Sequence, residues 1–285
     1  MISKHPSGPP ARRQPDSSEA ALQWAANAMQ SGRAADAERA AGEVLKKNPG
    51  DARAAHIYGH ALYQQGRGQD AIAPLERAIQ QNHSPILETQ VGMLLRQADR
   101  PNDALKYFAR ATKRQPPFPP AFLEYGSLLL ENLHYDEAVE ALERGLSLAP
   151  NFAEILAHLG AAYAARGERD KARQAFARAL ATAPNEPDTM FSLACLMKNS
   201  CCFNEAATLF KRLVEIDPND SSARISLGAC LIELGENDAG FAELGVATNT
   251  NPKILGQALN SVASAGRGRF WLTRSAAESA LKLKP

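Results

Sequence analysis

His56 and His60 stand four residues apart, which puts two imidazoles on one face of a helix and one turn from each other. Two imidazoles in that register could share a metal ion. Zinc, however, takes three or four ligands, and no acidic or cysteine neighbour supplies the rest. The stretch is not H-E-x-x-H, so the pair reads as solvated or partner-contacting histidines whose near-neutral pKa values make such a contact pH-sensitive. The four cysteines, Cys195, Cys201, Cys202 and Cys230, contain no C-x-x-C pair and no C-x-x-H. They read as packing and turn residues of a chain kept in a reducing compartment, the cytoplasm. No Walker A loop, nucleophile elbow or dinucleotide fingerprint is present. The sequence therefore predicts no catalytic residue, no metal and no cofactor.

The elements that carry these residues follow from composition and period. Hydrophobic residues make up 45% of the 285, yet aromatics only 6%, and the apolar mass is mostly alanine and leucine. That favours many thin helix–helix contacts over one thick core. With 32 basic against 31 acidic residues the net charge is +1, which gives no reason to expect a nucleic acid as the partner. No apolar run of about 18 residues exists to span a membrane, and MISKHPSGPPARRQPDSS lacks the apolar core of a secretory signal. That opening stretch, rich in Pro, Ser and Gly, reads as a disordered tail over residues 1–17.

From residue 18 onward a pattern returns about every 34 residues. Prolines that cannot continue a helix stand at Pro49, Pro116, Pro150, Pro184, Pro218, Pro252 and Pro285, with His83 in the one vacant place. A small residue recurs in each first helix as Ala25, Gly59, Gly92, Gly126, Gly160, Ala194 and Gly228. An alanine recurs in each second helix as Ala37, Ala71, Ala104, Ala138, Ala172 and Ala206, before Gly240. A larger apolar residue follows it four later in most copies: Leu75, Phe108, Leu142, Phe176, Phe210 and Leu244. Two antiparallel helices approach closely where both carry small side chains, so Gly160 and Ala172 are expected to meet while Tyr163 and Phe176 fill the space one turn away. Gly32, Gly66, Gly167 and Gly235 sit where a left-handed residue ends a first helix. Each copy thus predicts two helices of about 12 to 14 residues, and no strand is expected.

These residues resemble the tetratricopeptide repeat (TPR) family, with its W-x2-L-G-x2-Y, A-x3-F and A…P signature. Leu156-x2-Leu159-Gly160-x2-Tyr163, Ala172-x3-Phe176, Ala179 and Pro184 match it with one conservative change, and Phe122-x2-Tyr125-Gly126-x2-Leu129 with Ala138-x3-Leu142 matches almost as well. The resemblance implies an all-α, right-handed α-solenoid of about eight hairpins over residues 18–285. The copies fall approximately at 18–51, 52–84, 85–118, 119–152, 153–186, 187–220, 221–253 and 254–285. The last copy departs from the pattern at Gly266-Arg-Gly-Arg269 and reads as an irregular cap, or else as a junction to another domain. Pro116-Pro-Phe-Pro-Pro120 ends one helix and opens the next.

In that family the first helices line a concave face that grips a peptide or helix of a partner. Carried over, the groove comprises His56, His60 and Tyr63, then Gln90, Met93 and Arg96, then Glu124, Ser127 and Glu131, and finally His158 and Phe191. The asparagine of a chaperone-type carboxylate clamp falls on Ala26, His60, Met93, Ser127, Ala161, Cys195 and Ala229, so that mode is not expected. The groove predicts a segment with an apolar anchor and a basic residue near Glu124 and Glu131. The implied function is a non-catalytic, protein-binding scaffold or adaptor, with no nucleic acid and no membrane span. Two alternatives stand beside it: the substrate-recruiting region of a larger enzyme such as a sulfotransferase or glycosyltransferase, and a self-associating assembly module.

Overall fold

The computed structural model of the chain describes residues 17–264. The expected tail before Ser17, and the departure of the last copy at Gly266-Arg-Gly-Arg269, lie outside the described residues. The chain divides into two compact units, one ending at Leu148 and the other beginning at Ala149. The first unit holds α1 (Ser18–Gln30), α2 (Ala34–Lys47), α3 (Ala52–Gln64), α4 (Gly68–Asn82), α5 (Pro85–Gln97), α6 (Pro101–Ala111), α7 (Pro119–Glu131) and α8 (Tyr135–Leu148). The second holds α9 (Ala153–Ala165), α10 (Arg169–Thr182), α11 (Pro187–Asn199), α12 (Phe203–Ile216), α13 (Ser221–Leu234) and α14 (Asn237–Thr250), then a 3-10 turn (Pro252–Ile254) and α15 (Leu255–Ser264). No strand occurs among the described residues.

Local signals start each helix. The carboxylate of Asp51 accepts from the Ala54 N–H, and that of Asp220 accepts from Ser222 and Ala223, so donors that the helix itself cannot pair are satisfied. Proline opens α5, α6, α7 and α11, where its missing N–H does no harm. Second helices carry an aspartate in the first turn at Asp36, Asp70 and Asp103, each three residues after an arginine: Arg33, Arg67 and Arg100 lie 3.6, 3.1 and 2.7 Å from them. The carboxylate complements the positive end of the helix. At the turns between paired helices, Gly32, Gly66, Gly167 and Gly235 are left-handed, with φ from 70° to 89°. Asp99, Leu133 and Cys201 take the same conformation at φ 57°, 63° and 59° without glycine's freedom.

Each first helix packs against its own second helix, and within a unit it also touches the first helix of the next pair. In the first unit α1 meets α3, α3 meets α5 and α5 meets α7; in the second α9 meets α11, and α11 meets α13. Within each unit the odd-numbered helices therefore stand side by side as a wall. The second helices close the core with Leu75, Ala78, Ile79 and Phe108 in the first unit, and with Ala206, Phe210 and Leu213 in the second.

The glycine of the first helix makes room for a ring. A Cβ added at Gly160 would lie 2.7 to 2.9 Å from the Phe176 ring, so Phe176 fills the glycine's space. The same holds for Gly92 beneath Phe108 and Gly126 beneath Leu142. Only Gly228 shows a direct backbone approach among these, 2.8 Å from the Gly240 carbonyl.

Candidate functional site

On the wall of odd-numbered helices in the first unit lies a cavity of about 310 Å³, walled by α3, α5 and the start of α7. Its apolar side is Tyr63, Ile86, Met93 and Leu94, with Phe118 and Pro120 at the mouth of α7; its polar side is His56, His60, Thr89, Gln90 and Glu124. Successive first helices set like positions opposite one another. For this reason residue pairs 34 apart in sequence, such as His56 and Gln90, come into hydrogen-bond range. Seven large apolar side chains are exposed among the described residues, and three of them, Tyr63 (44%), Ile86 (40%) and Met93 (40%), line this one cavity. Exposed apolar side chains scattered singly need no explanation, whereas three gathered in one concavity mark an interaction surface.

Hydrogen bonding orients the polar side. Gln90 Nε2 donates to the backbone carbonyl of His56 at 3.1 Å, which turns the amide oxygen toward the His56 ring. Oε1 then lies 3.1 Å from His56 Nδ1, and an amide oxygen can only accept, so Nδ1 carries the hydrogen. His56 Nε2 is left as an acceptor. The His56 and His60 rings stack nearly parallel, with centroids 6.5 Å apart. Crowding by the surrounding helices pushes the His56 pKa down; the bond to Gln90 opposes this, and the neighbouring His60 adds to it. The ring keeps solvent contact at the groove surface. Thr89 is buried and donates its hydroxyl hydrogen to the Pro85 carbonyl at 2.7 Å.

Glu124 and Glu131 were expected to await a basic partner residue. Within the chain Arg96 already lies beside both, 3.1 Å from Glu124 Oε2 and 3.9 Å from Glu131 Oε1. The approach to Glu124 is off the hydrogen-bond axis, and Oε2 is buried without a hydrogen bond. The ion pair with Arg96 neutralises the carboxylate in place, and Oε2 offers no surface to a ligand.

The remaining carried-over residues lie apart from the cavity lining. Ser127 is half-buried one turn beyond Glu124 on α7. In the second unit, His158 bonds through Nδ1 to the Glu154 carbonyl of its own helix at 2.8 Å, and Phe191 packs edge-on against Phe210, with centroids 5.6 Å apart. Sequence reasoning missed Ile86, Phe118 and Pro120. The available signal was Phe118 between two proline pairs, an aromatic that neither ends nor opens a helix. It also missed Glu88, fully buried on α5, which accepts from Arg110 and from Arg114 at 2.8 Å each. Among the described residues no group of three His, Cys, Asp or Glu side chains converges as a metal-ligand set, and no helix is long and apolar enough to cross a membrane.

Residues 22–85 and 129–189 match tetratricopeptide repeat models. No curated protein matches the sequence. Among solved structures the chain is similar to PilF of Pseudomonas aeruginosa, with TM-score 0.61 and 19% identity over 70% of this chain and 91% of that one. It is also similar to YrrB, a TPR protein with an unusual peptide-binding site, with TM-score 0.54 and 18% identity over 64% of this chain and 95% of that one. For MamA of Desulfovibrio magneticus RS-1, the TM-score is 0.53 and the identity 22%, over 59% of this chain and 96% of that one. At these identities the likeness is one of fold.

Proposed function

We propose that this chain, which belongs to the tetratricopeptide repeat family, is a protein-binding scaffold that holds a segment of a partner against α3, α5 and α7, anchored by one side chain in the first unit's cavity. The observation that carries the reading is the gathering of Tyr63, Ile86 and Met93, all open to solvent, around a single concavity. A volume of about 310 Å³ sits at the lower end of the ~300–1,000 Å³ range of ligand sites, which suits one large side chain rather than a whole helix. Binding follows from burial of that anchor in a preformed site, with Gln90, His60 and the Arg96–Glu131 pair as a polar rim that sets orientation. His158 and Phe191 belong to the second unit and form no part of the anchor site in this reading. The scaffold needs no catalysis of its own, and a reducing compartment such as the cytoplasm suits its four free thiols.

The test is affinity capture from lysate with wild type beside the His60→Glu/Met93→Glu variant, after circular dichroism has shown equal helicity. Loss of a wild-type partner in the variant supports the reading. Equal capture by both removes the cavity from binding and turns attention to the second-helix face and the terminal copies.

A further inference from the structure

We propose that the first unit carries a second binding site, on its second-helix side, that takes an acidic segment of a partner protein: a carboxylate on the Arg77 guanidinium and a neighbouring apolar side chain over the Tyr58 ring. The site is a cavity of about 220 Å³ where α2 and α4 flank α3, and it shares no residue with the cavity on the first-helix wall. Leu45, Pro49, Tyr58 and Pro74 form its apolar surface. Its charged lining is Lys46 and Arg77, with no carboxylate among the described residues that line it. Gly42 leaves the space over the ring open. A Cβ there would sit 3.4 Å from Tyr58 Cε2, an ordinary contact, so crowding does not require the glycine.

Arg77 differs from its counterparts in the other copies. An arginine recurs at the same place in five second helices, as Arg77, Arg110, Arg144, Arg178 and Arg212, 33 or 34 residues apart. In the second unit Arg178 donates to the Pro150 carbonyl at 3.1 Å and Arg212 to the Pro184 carbonyl at 3.0 Å, each reaching back 28 residues to the proline that ends the preceding copy. In the first unit Arg110 pairs with Glu88, and Arg144 lies over the Phe122 ring. The matching reach from Arg77 is to Pro49, yet its Nε donates to the Ala73 carbonyl of its own helix at 3.3 Å. Among the described residues the guanidinium makes no other hydrogen bond and no ion pair. The seam that its counterparts close in the second unit is therefore open here, and a permanent cation with unused donors lines it.

Charge selects the occupant. Glu43 balances Lys46 at 2.6 Å, so the uncompensated charge of the site is that of Arg77. A basic segment would meet it as a like charge, and a neutral one leaves its donors to water. A carboxylate accepts from the planar guanidinium in two parallel bonds. The volume falls below the ~300–1,000 Å³ of small-molecule sites, which suits one side chain beside the acid. Tyr58 and the rings of Pro49 and Pro74 give that side chain rigid apolar walls.

The experiment titrates N-acetyl-glutamyl-phenylalanine amide into the full-length, isotopically labelled chain and follows it by NMR, beside the glutaminyl and lysyl counterparts, glutamyl-alanine amide and inorganic phosphate. The glutamyl-phenylalanine probe is expected to shift the resonances of Gly42, Tyr58 and Arg77 Nε. The glutaminyl probe, of the same shape without the charge, should bind about three-fold more weakly, the scale of an exposed ion pair, and the lysyl probe more weakly again. Loss of the ring in glutamyl-alanine amide should weaken binding as well. Arg77 is exposed, so Arg77→Gln should keep the fold and erase the gap between the glutamyl and glutaminyl probes, whereas Arg178→Gln should leave that gap unchanged. Equal binding of those two probes to wild type overturns the carboxylate assignment. Phosphate shifting the same resonances as strongly as the acidic probe overturns it in favour of any small anion. If no probe perturbs Gly42 or Tyr58, the site itself falls. None of these outcomes touches partner capture through Met93, so this inference and the scaffold reading fail separately.

Discussion

Gly92→Ala adds one methyl group beneath the Phe108 ring, and its effect can be worked from contacts. A Cβ there would lie 2.4, 2.6 and 2.8 Å from Cε1, Cδ1 and Cζ of Phe108, where carbon atoms settle at about 3.5–4.0 Å. The ring must retreat by about 1 Å. Phe108 is fully buried among Leu75, Leu95 and Ala104, so it has no open space to retreat into. Overpacking of this kind costs about 1–3 kcal/mol, and a displacement this large belongs near the upper end. Against it, alanine gains about 1 kcal/mol over glycine in a helix interior. The net expectation is a loss of about 2 kcal/mol. Gly256→Ala on α15, where no atom lies within 4 Å, serves as the control and should be neutral or stabilising. Because stacked repeats unfold in parts, the readout is hydrogen exchange of peptides from α5 and α6 together with the urea midpoint. Phe108→Leu should offset much of the loss in the double variant, so the two substitutions couple favourably. A Gly92→Ala protein as stable as wild type, with unchanged protection in α5 and α6, refutes the view that ring packing is what requires glycine there.

Glu88 is buried between Arg110 and Arg114, whose side chains are 48% and 30% exposed. Removing both arginines in Arg110→Ala/Arg114→Ala leaves a buried charge uncompensated and should cost about 3–5 kcal/mol, clearly more than either single change in a urea titration. Leu133 is 69% exposed and held at φ 63°, so Leu133→Gly should raise stability by about 1 kcal/mol by relieving the left-handed backbone, measured by the same titration. Burial lowers the His56 pKa below its ordinary 6.5, so near and below that pH the unfolded chain binds more protons than the folded one and stability falls as pH falls. Melting temperatures at neutral and mildly acidic pH should therefore drop more for wild type than for His56→Gln; an identical drop would count against the desolvated ring. Burial pushes the Cys230 thiol up to about 11, whereas Cys201 is exposed at a turn. Iodoacetamide at about pH 8 should label Cys201 in the folded chain and reach Cys230 only in urea, as read by peptide mass spectrometry.

Hairpin architecture was legible in the sequence because its causes are local and periodic. A small residue such as Gly92 recurs where a helix must pass beneath a ring, proline recurs where a helix must stop, and glycine recurs at turns such as Gly66 that need positive φ. The same period placed His56, Gln90 and Glu124 on successive first helices, so their convergence on one wall followed from stacking. The period did not carry the pairing of side chains across that wall. The stretch Pro116-Pro-Phe-Pro-Pro120 reads as helix punctuation, yet its Phe118 and Pro120 close the cavity because α7 packs beside α5. Glu124 had looked like a site awaiting a cation, yet Arg96 reaches it from the neighbouring helix. Glu88 is buried against arginines 22 and 26 residues away, a pairing that no spacing within the repeat announces. Spacing decides which backbone positions face one another, whereas the reach of a long side chain, the desolvation around it and the charge it meets are set only when helices from different copies are in place. That is why the sequence alone determined the hairpins and the wall they form, and the tertiary structure decided which groups on that wall remain open to a partner.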